Sequence, residues 1–277
     1  MTKEIMTAAC LLASSTLMYA ADLSAASATA PAKEINTLCD IADIAPVLEK
    51  FSASISVDYE SEYIFRGKQL AYGVVCPEAD IGYDIGSGFG AYIGWWGCNS
   101  VDGEHANYEE NDIYCGATYS VENFTIDFGY TLFTYAGSAK NENEIKLMVS
   151  YDTSELLGDF AVSPYVAGFY NFTYSGTVIE GGLSYSAPVT KWILNQNWGT
   201  VDLAASVGYG DYSEGMTYGG GYTYVALRGD FNVALNDYCS ISAGVRYSHN
   251  NDNDEGYAAI AGKEDNVWFG TSFSIGF

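Results

Sequence analysis

Residues 51–65 read FSASISVDYESEYIF, and this stretch decides the fold. Up to Tyr59 the apolar side chains stand at odd positions, while serine and aspartate fill the even ones. An alternation with a period of two predicts a β-strand with one apolar and one polar face. The same alternation returns repeatedly down to Phe277, so the sequence indicates strands almost everywhere after residue 50.

The alternating segments number twelve, and the sequence predicts two kinds of connection between them. Tight Gly-, Asn- or Asp-containing turns are expected at residues 86–88, 122–123 and 236–237, and longer polar loops near 98–108, 211–219 and 249–264. An even number of strands with short turns at one end and longer loops at the other is typical of outer-membrane barrels. The connection at 187–199 departs from this pattern, because it falls on the short-turn side, is long and contains two tryptophans.

A soluble β-sandwich would also alternate, but two features favour a barrel. Tyrosine and phenylalanine crowd near the strand ends, where interfacial aromatic residues of a membrane protein belong. The polar face carries many charges, which a sandwich core could not bury. The predicted fold is therefore all-β, an antiparallel transmembrane β-barrel of about 12 strands in the outer membrane of a bacterial cell.

The composition limits the partners and the chemistry. The chain has 277 residues and a net charge of −24, from 35 acidic and 11 basic residues. Such a charge argues against a nucleic-acid partner, since phosphates are gathered by basic surfaces. Two histidines and the lack of a C-x-x-C pair give little support for a metal centre, so no metal and no cofactor are predicted.

The first 50 residues form separate segments. Lys3, an apolar stretch and the A-x-A sequence at 26–28 predict a signal peptide over residues 1–28. Cleavage after Ala20 is an alternative, and lipidation at Cys10 is less favoured. Residues 29–50 are expected to be a periplasmic linker or short helix, in preference to a plug, and the barrel is expected over 51–277.

If the apolar face meets lipid, the polar face lines the lumen. The predicted pore-lining residues are Asp58, Glu60, Glu62, Arg66, Glu78, Asp80, Asp84, Asp112, Asp127, Lys146, Glu180, Asp202, Arg228 and Arg246, joined by Glu144 and Asp230. The acids outnumber the bases by about eight in this set, so an open pore would prefer cations. The alternative is that each base simply bridges neighbouring acids and stiffens the wall, with Arg66 the foremost such anchor at the outer rim.

Whether such a pore is open is a separate question. Eight-stranded barrels are filled by their own side chains, whereas sixteen-stranded ones hold an aqueous channel, and twelve lies between. Tyr92, Trp96 and Trp268 are expected to point inward and to narrow the lumen.

Two disulfides can be considered. A hairpin centred on Ser87 puts Cys76 directly opposite Cys98, within disulfide range across antiparallel strands. We predict this bridge, whereas a second one between Cys39 and Cys239 is less favoured. Cys115 is expected to face lipid as a free thiol.

An enzymatic role is the less favoured alternative, and no catalytic residue is predicted. A lipid hydrolase at the outer rim would use His105 or His249, with Ser100 and Ser248 close to them in sequence. Solvated loop histidines are the simpler interpretation. The acids Asp102, Glu104, Glu109 and Glu110 are expected in outer loops, where they would bind divalent ions loosely between lipopolysaccharide headgroups.

Residues 61–67, SEYIFRG, resemble the S-[DE]-Y-x-F-R-G signature of the TorF family (the Gcw_chp domain), which is named as porins by inference. Residues 162–166 and 180–185 are also similar to that family, and the resemblance covers roughly residues 51–277. It implies an outer-membrane barrel surrounded by lipid and lipopolysaccharide. The final strand with Phe277 is similar to the C-terminal strand that the barrel-assembly machinery recognises in outer-membrane proteins.

These observations predict a porin-like channel for passive diffusion of small solutes, with cation preference arising from the acidic lumen. A non-conducting barrel with a structural or surface-recognition role is the alternative.

Overall fold

The twelve strands close into one antiparallel barrel, as predicted. The computed structural model describes residues 48–101, 108–137, 140–196, 198–212, 221–251 and 264–277. Each strand pairs with the next along the chain, and β1 pairs with β12 to complete the ring. The strands are β1 Phe51–Phe65, β2 Lys68–Gly86, β3 Phe89–Ser100, β4 Glu109–Val121, β5 Phe124–Tyr135, β6 Glu142–Tyr151, β7 Val162–Asn171, β8 Gly176–Ala187, β9 Gly199–Tyr212, β10 Tyr222–Ala234, β11 Cys239–Asn250 and β12 Asp265–Gly276.

The period-two pattern places apolar side chains on the outside of the barrel. These outward residues are exposed in the isolated chain and include Ile55, Val57, Ile81, Ile93, Ile113, Phe128, Leu147, Ile179, Leu203, Val207, Val245, Val267 and Phe269. In β7, where both faces are apolar in sequence, Tyr165, Ala167 and Phe169 turn inward while Val166 faces out. A continuous apolar outer wall is what a barrel needs in order to sit in lipid.

Three cross-strand Phe–Tyr pairs mark one rim of the wall. Phe51 faces Tyr83, Phe89 faces Tyr119 and Phe124 faces Tyr151, with ring centroids 4.8, 4.5 and 4.8 Å apart. They lie at the barrel end where β1 begins and β12 ends, which is the periplasmic end in barrels with an even number of strands. Aromatic girdles of this kind sit at the membrane–water interface.

The connections at the periplasmic end differ in length. The turns at 87–88, 122–123 and 235–238 are short, as predicted. The β6–β7 connection contains helix α1 (Ser154–Leu157) and a 3₁₀ helix (Gly158–Phe160), and the β8–β9 connection contains helix α2 (Val189–Leu194). Within the described part of the chain, no helix is both long and apolar enough to cross a bilayer.

Some sequence predictions concern residues outside the described ranges. The signal peptide at 1–28, most of the 29–50 segment, Cys39, His105 and the acids Asp102 and Glu104 all lie there. They stay predictions.

Candidate functional site: the barrel lumen

Six serines line the lumen toward its periplasmic end. They are the inward residues of three adjacent strands, β1, β11 and β12, and form a serine face of Ser54, Ser56, Ser240, Ser242, Ser272 and Ser274. Ser240 and Ser274 lie opposite each other and their hydroxyl oxygens are 2.7 Å apart. All six are partly accessible to solvent, and we call this hydroxyl-lined part of the lumen the vestibule.

Four of the predicted pore-lining acids border this vestibule. Asp58, Glu78, Asp80 and Asp84 are all partly accessible. Asp80 accepts a hydrogen bond from the Ser54 hydroxyl at 2.5 Å, Glu78 accepts one from the Tyr114 hydroxyl at 2.7 Å, and Asp84 accepts one from the Gly86 amide at 2.7 Å. These three donors are neutral groups.

Further into the barrel, the lumen contains buried ion pairs between side chains of β1, β5, β6, β10 and β11. We call these residues the closing layer, which consists of Glu60, Asp127, Lys146, Arg228, Asp230 and Arg246. Arg246 lies 3.0 Å from Glu60 and 3.2 Å from Asp230, and Arg228 also pairs with Asp230. Charges withdrawn from water need partners of this kind, because burying an isolated charge is costly.

Lys146 and Asp127 form a further ion pair of the closing layer. Their Nζ and Oδ2 atoms are 2.6 Å apart, and Tyr92 donates to the other oxygen of Asp127 at 2.9 Å. Lys146 also stands over the Tyr92 ring, 5.7 Å from its centroid. Asp127 is thus held by a cation and a phenol together.

Aromatic side chains fill the barrel interior beside these ion pairs. Tyr92, Trp96 and Trp268 are buried in the barrel interior. Glu180 accepts hydrogen bonds from the hydroxyls of both Tyr165 and Tyr224, at 2.6 Å each. Beside these residues lies a cavity of about 50 Å³, lined in part by Phe169, Tyr224 and Trp268. That volume holds a few water molecules but no sugar or amino acid.

Residues 61–73 extend beyond the rest of the sheet, and we call them the motif hairpin. Pairing of β1 with β12 ends at Glu60, and pairing of β2 with β3 begins at Val74, whereas β1 and β2 stay paired up to Phe65 and Lys68. A register shift between Tyr63 and Ile64 bends the ribbon, as a β-bulge does. Tyr63, Ile64, Gln69, Leu70 and Ala71 are all buried, so the motif hairpin folds into the barrel mouth.

The tip of the motif hairpin contacts strands on other sides of the barrel. Arg66 forms a two-point ion pair with Glu144 of β6, and its guanidinium lies 4.6 Å from the Phe65 ring centroid and 4.2 Å from that of Phe169 on β7. Asn250 of β11 donates its side-chain amide to the Gly67 carbonyl at 2.6 Å. The tip therefore crosses the outer mouth and is fixed to its far wall.

Three lumenal residues were missed by the sequence reasoning. Glu110, which the sequence suggested for an outer loop, is buried in β4 and accepts hydrogen bonds from Tyr63 and Tyr108. Glu142 on β6 is buried and accepts one from Asn171. Glu110 and Glu142 have even numbers, as do the predicted inward residues Asp112 and Glu144 of the same strands. This shared numbering could have placed them inside the barrel. Tyr63 stood with the lipid-facing residues, but at this position β1 no longer pairs with β12, and its hydroxyl reaches Glu110 inside the barrel mouth.

The other predicted lumenal residues are placed as follows. Asp112 is fully buried at 0% exposure, next to Trp96 across the β3–β4 pairing. Glu62 accepts a hydrogen bond from Gln69 within the motif hairpin at 2.9 Å. Asp202 is buried and accepts hydrogen bonds from Ser186 and Asn232. That any of these residues lines a conducting path stays a prediction.

Cys76 and Cys98 lie under the motif hairpin, buried in one cluster with Tyr63, Leu70 and Ala71. They are free thiols in the structure, with sulfur atoms 2.9 Å apart, against about 2.05 Å in a disulfide. The disulfide stays a prediction. Cys115 lies exposed on the outer wall.

The described residues at the outer rim contain a His–Asp pair without a serine beside it. His249 Nδ1 lies 3.1 Å from Asp265 Oδ1, which also accepts a hydrogen bond from the Tyr247 hydroxyl. Ser248 and Ser100 instead donate to the backbone carbonyls of Val225 and Tyr72. The described geometry thus brings neither serine of the hydrolase alternative to His249.

Comparisons with known proteins agree with the fold. No curated protein matches the chain. An outer-membrane channel from Pseudomonas putida F1 is 9% identical with a TM-score of 0.50, covering 82% of this chain and 95% of that one. LpxR from Salmonella typhimurium is 7% identical with a TM-score of 0.50, covering 81% and 99%. The NanC porin is 10% identical with a TM-score of 0.47, covering 80% and 98%.

At such low identities, the two matches with a TM-score of 0.50 support the fold alone, which is that of outer-membrane barrels. The closed antiparallel ring and its apolar outer wall place the protein in the bacterial outer membrane. The family model described as bacterial protein of unknown function (Gcw_chp) matches residues 46–217, more than half of the chain. The chain therefore belongs to the Gcw_chp family.

Proposed function

We propose that the protein is a cation-preferring channel for passive diffusion of small solutes, and that the motif hairpin closes it in the conformation described here. One observation carries the proposal: a vestibule lined by serines and acids leads from the periplasmic end to a closure made of side chains and one hairpin. A barrel with a purely structural role needs no such vestibule. The resemblance of the motif hairpin to TorF porins supports the same function.

Cation preference follows from the distribution of charge. Arg66, Lys146, Arg228 and Arg246 form their ion pairs with Glu144, Asp127, Asp230 and Glu60. The bases thus sit in the closing layer and the motif hairpin, whereas Asp80 and Asp84 accept from neutral donors in the vestibule. Fixed negative charge in a narrow aqueous space concentrates cations and repels anions.

A non-conducting barrel is the second candidate, and the closing layer favours it. Glu60, Asp127, Lys146, Asp230 and Arg246 are all buried, and the adjoining cavity is only about 50 Å³. A permanent closure would leave the outer surface as the functional part, for example in contact with lipopolysaccharide or another partner.

Single-channel recording separates the two candidates. Full-length protein is refolded in detergent and inserted in a planar bilayer under a salt gradient. A second variant replaces residues 63–71 by an Asn-Gly turn, and a control variant carries an Asn-Gly replacement in the outer connection at 136–141. We expect rare openings from the wild type and the control, and frequent cation-selective openings from the hairpin variant. A correctly folded hairpin variant that stays silent would contradict the channel and favour the second candidate.

A further inference from the structure

Two neighbouring connections at the periplasmic end expose large apolar side chains. They form an apolar platform of Leu156, Leu157, Phe160, Trp192, Ile193, Leu194 and Trp198. Ile193 is 78% exposed, Leu156 71% and Phe160 67%. The turn residues at the other side of this end, such as Ser87 and Glu122, are small or polar. The β10–β11 turn at this end also exposes Leu235 and Tyr238. The platform is the larger patch, and an exposed apolar patch of this size marks a surface that something covers.

The platform is held in place by contacts between and within the two connections. Lys191 Nζ on α2 lies 2.9 Å from both carboxylate oxygens of Asp159 in the 3₁₀ helix. The rings of Phe160 and Trp192 have centroids 5.7 Å apart. At the base of α2, the Thr190 hydroxyl donates to the Gly199 carbonyl at 2.9 Å and lies 3.0 Å from the Gly199 amide nitrogen. The apolar side chains are therefore presented by a fixed surface.

The platform continues the lipid-facing wall. Trp198 packs edge-on against Phe231, an outward residue of β10, with centroids 6.2 Å apart. The hydroxyl of Tyr185 on β8 donates to the Asp159 backbone carbonyl at 3.2 Å. The Phe–Tyr pairs of the periplasmic girdle lie on β1–β6, and the platform adds Phe160, Trp192 and Trp198 where β7–β9 begin or end.

We propose that the apolar platform is an interfacial lipid anchor, embedded at the headgroup–acyl boundary of the periplasmic leaflet. Its occupant is the phospholipid of the membrane that surrounds the barrel. Tryptophan together with Leu, Ile and Phe on short helices is the chemistry of that boundary. The anchor fixes the depth of the β6–β9 side of the barrel, and it is independent of whether the lumen conducts.

Fluorescence quenching by brominated phospholipids tests the anchor. Wild type, Trp192→Phe and Trp198→Phe are refolded into vesicles of phosphatidylcholine whose acyl chains carry bromine either near the headgroup or near the chain end. The quenching difference between wild type and each variant isolates one platform tryptophan from Trp95, Trp96 and Trp268. We expect Trp192 and Trp198 to be quenched at least twofold more by the shallow bromines than by the deep ones.

A second comparison separates the anchor from a docking surface for a protein. Ile193→Asp is expected to reduce the quenching of Trp192, whereas Ile193→Leu keeps it, because only the aspartate opposes insertion. The vesicles contain only this chain and lipid, so quenching can arise only from lipid. If Trp192 is unquenched and emits at water-like wavelengths in folded wild type, the anchor is overturned and a protein partner becomes the better occupant.

Discussion

The Arg66 guanidinium and the Glu144 carboxylate meet through two parallel contacts, Nη1–Oε2 at 2.8 Å and Nη2–Oε1 at 2.7 Å. The two residues stand on opposite parts of the barrel wall, since β6 is not a sheet neighbour of β1 or β2. Two-point arginine–carboxylate pairs are the strong and geometrically specific ones. Both side chains are nearly buried, at 7% and 6% exposure, and the pair ties the tip of the motif hairpin to β6.

We expect Arg66→Ala to release the motif hairpin and to raise channel opening. Removing one partner of a buried ion pair costs about 3–5 kcal/mol in folded proteins, because the other charge is left buried and unpaired. Exposing Glu144 to water relieves that cost, which favours the open arrangement. The open probability in planar bilayers should rise by roughly tenfold or more, since about 1.4 kcal/mol already corresponds to tenfold.

The control for this prediction is Lys191→Ala, which breaks the exposed Lys191–Asp159 pair at the periplasmic end. Exposed pairs contribute at most about 1 kcal/mol, so opening should not change. Exchanging the charges in Arg66→Glu with Glu144→Arg should restore part of the closure. If wild type and folded Arg66→Ala open equally often, the Arg66–Glu144 pair does not keep the motif hairpin closed.

Gly67→Ala tests whether the tip of the motif hairpin is seated as described. Gly67 has φ +80°, and a Cβ there would lie 2.6 Å from the Tyr224 Cβ and 3.2 Å from the Asn250 Cβ. Gly137→Ala is the matched control, because Gly137 has φ +84° but no atom within 4 Å of an added Cβ. Both variants carry the backbone strain of about 1–2 kcal/mol, and only Gly67→Ala adds the overpacking cost of about 1–3 kcal/mol.

We therefore expect Gly67→Ala to open more often than Gly137→Ala and to unfold at a lower urea concentration. Channel recording and urea titration of the refolded proteins measure the two effects. Identical behaviour of the two variants would mean that the tip does not press against Tyr224 in the membrane.

The barrel could be predicted from sequence because period-two alternation is a local signal that each strand carries by itself. The inward fold of the motif hairpin could not, since it depends on where pairing with β12 and β3 stops, near Glu60 and Val74. Such endpoints are set by neighbours that are distant in sequence. Tyr63 and Phe65 have odd numbers and were expected to face lipid, but both pack against the buried interior cluster because the hairpin folds into the mouth.

The candidate site could also be predicted only in part. The inward acids follow from their even positions in the alternating pattern, and Asp58, Glu78 and Asp80 lie on the face that this pattern predicts. The partner of each base could not be predicted, because Arg66–Glu144 and Arg246–Glu60 join strands across the lumen or around the closure of the ring. Of the platform, only the 187–199 connection stood out in the sequence, through its length and its two tryptophans, since helices as short as α1 and α2 have too few residues for a helical period.

The vestibule acids should set the ion selectivity. A unit charge about 8 Å from the ion path contributes about 0.5 kcal/mol in water, or about twofold in local ion concentration. We expect Asp80→Asn with Asp84→Asn, made together in the Arg66→Ala background, to lower the cation-to-anion permeability ratio by roughly sixteenfold, because each lost charge lowers the cation concentration and raises the anion concentration about twofold. Reversal potentials under a salt gradient measure the ratio, and the effect should shrink as salt concentration rises.

Glu122→Gln is the control for selectivity, because Glu122 is an exposed acid of the β4–β5 turn, outside the lumen. It removes the same kind of charge without changing the vestibule. A ratio that falls equally in Glu122→Gln would locate the effect at the membrane surface. A ratio unchanged by the double Asp variant would assign selectivity to the closing layer.

The Cys76–Cys98 pair should be oxidised in protein taken from the outer membrane. The two thiols face each other across β2 and β3 with sulfur atoms 2.9 Å apart, so a small rotation joins them. Oxidation removes two electrons and two protons, which the periplasm accepts by disulfide exchange. The bond would tie β2 to β3 just below the motif hairpin, where Leu70 and Ala71 pack.

Alkylation of the unfolded, unreduced protein followed by mass spectrometry should leave both cysteines unlabelled, and reduction should expose them. Cys115, alone on the outer wall opposite Ile93 and Tyr130, serves as the internal control and should be labelled with or without reduction. Full labelling of Cys76 and Cys98 without reductant would show that the pair stays as thiols and that packing alone holds the base of the hairpin.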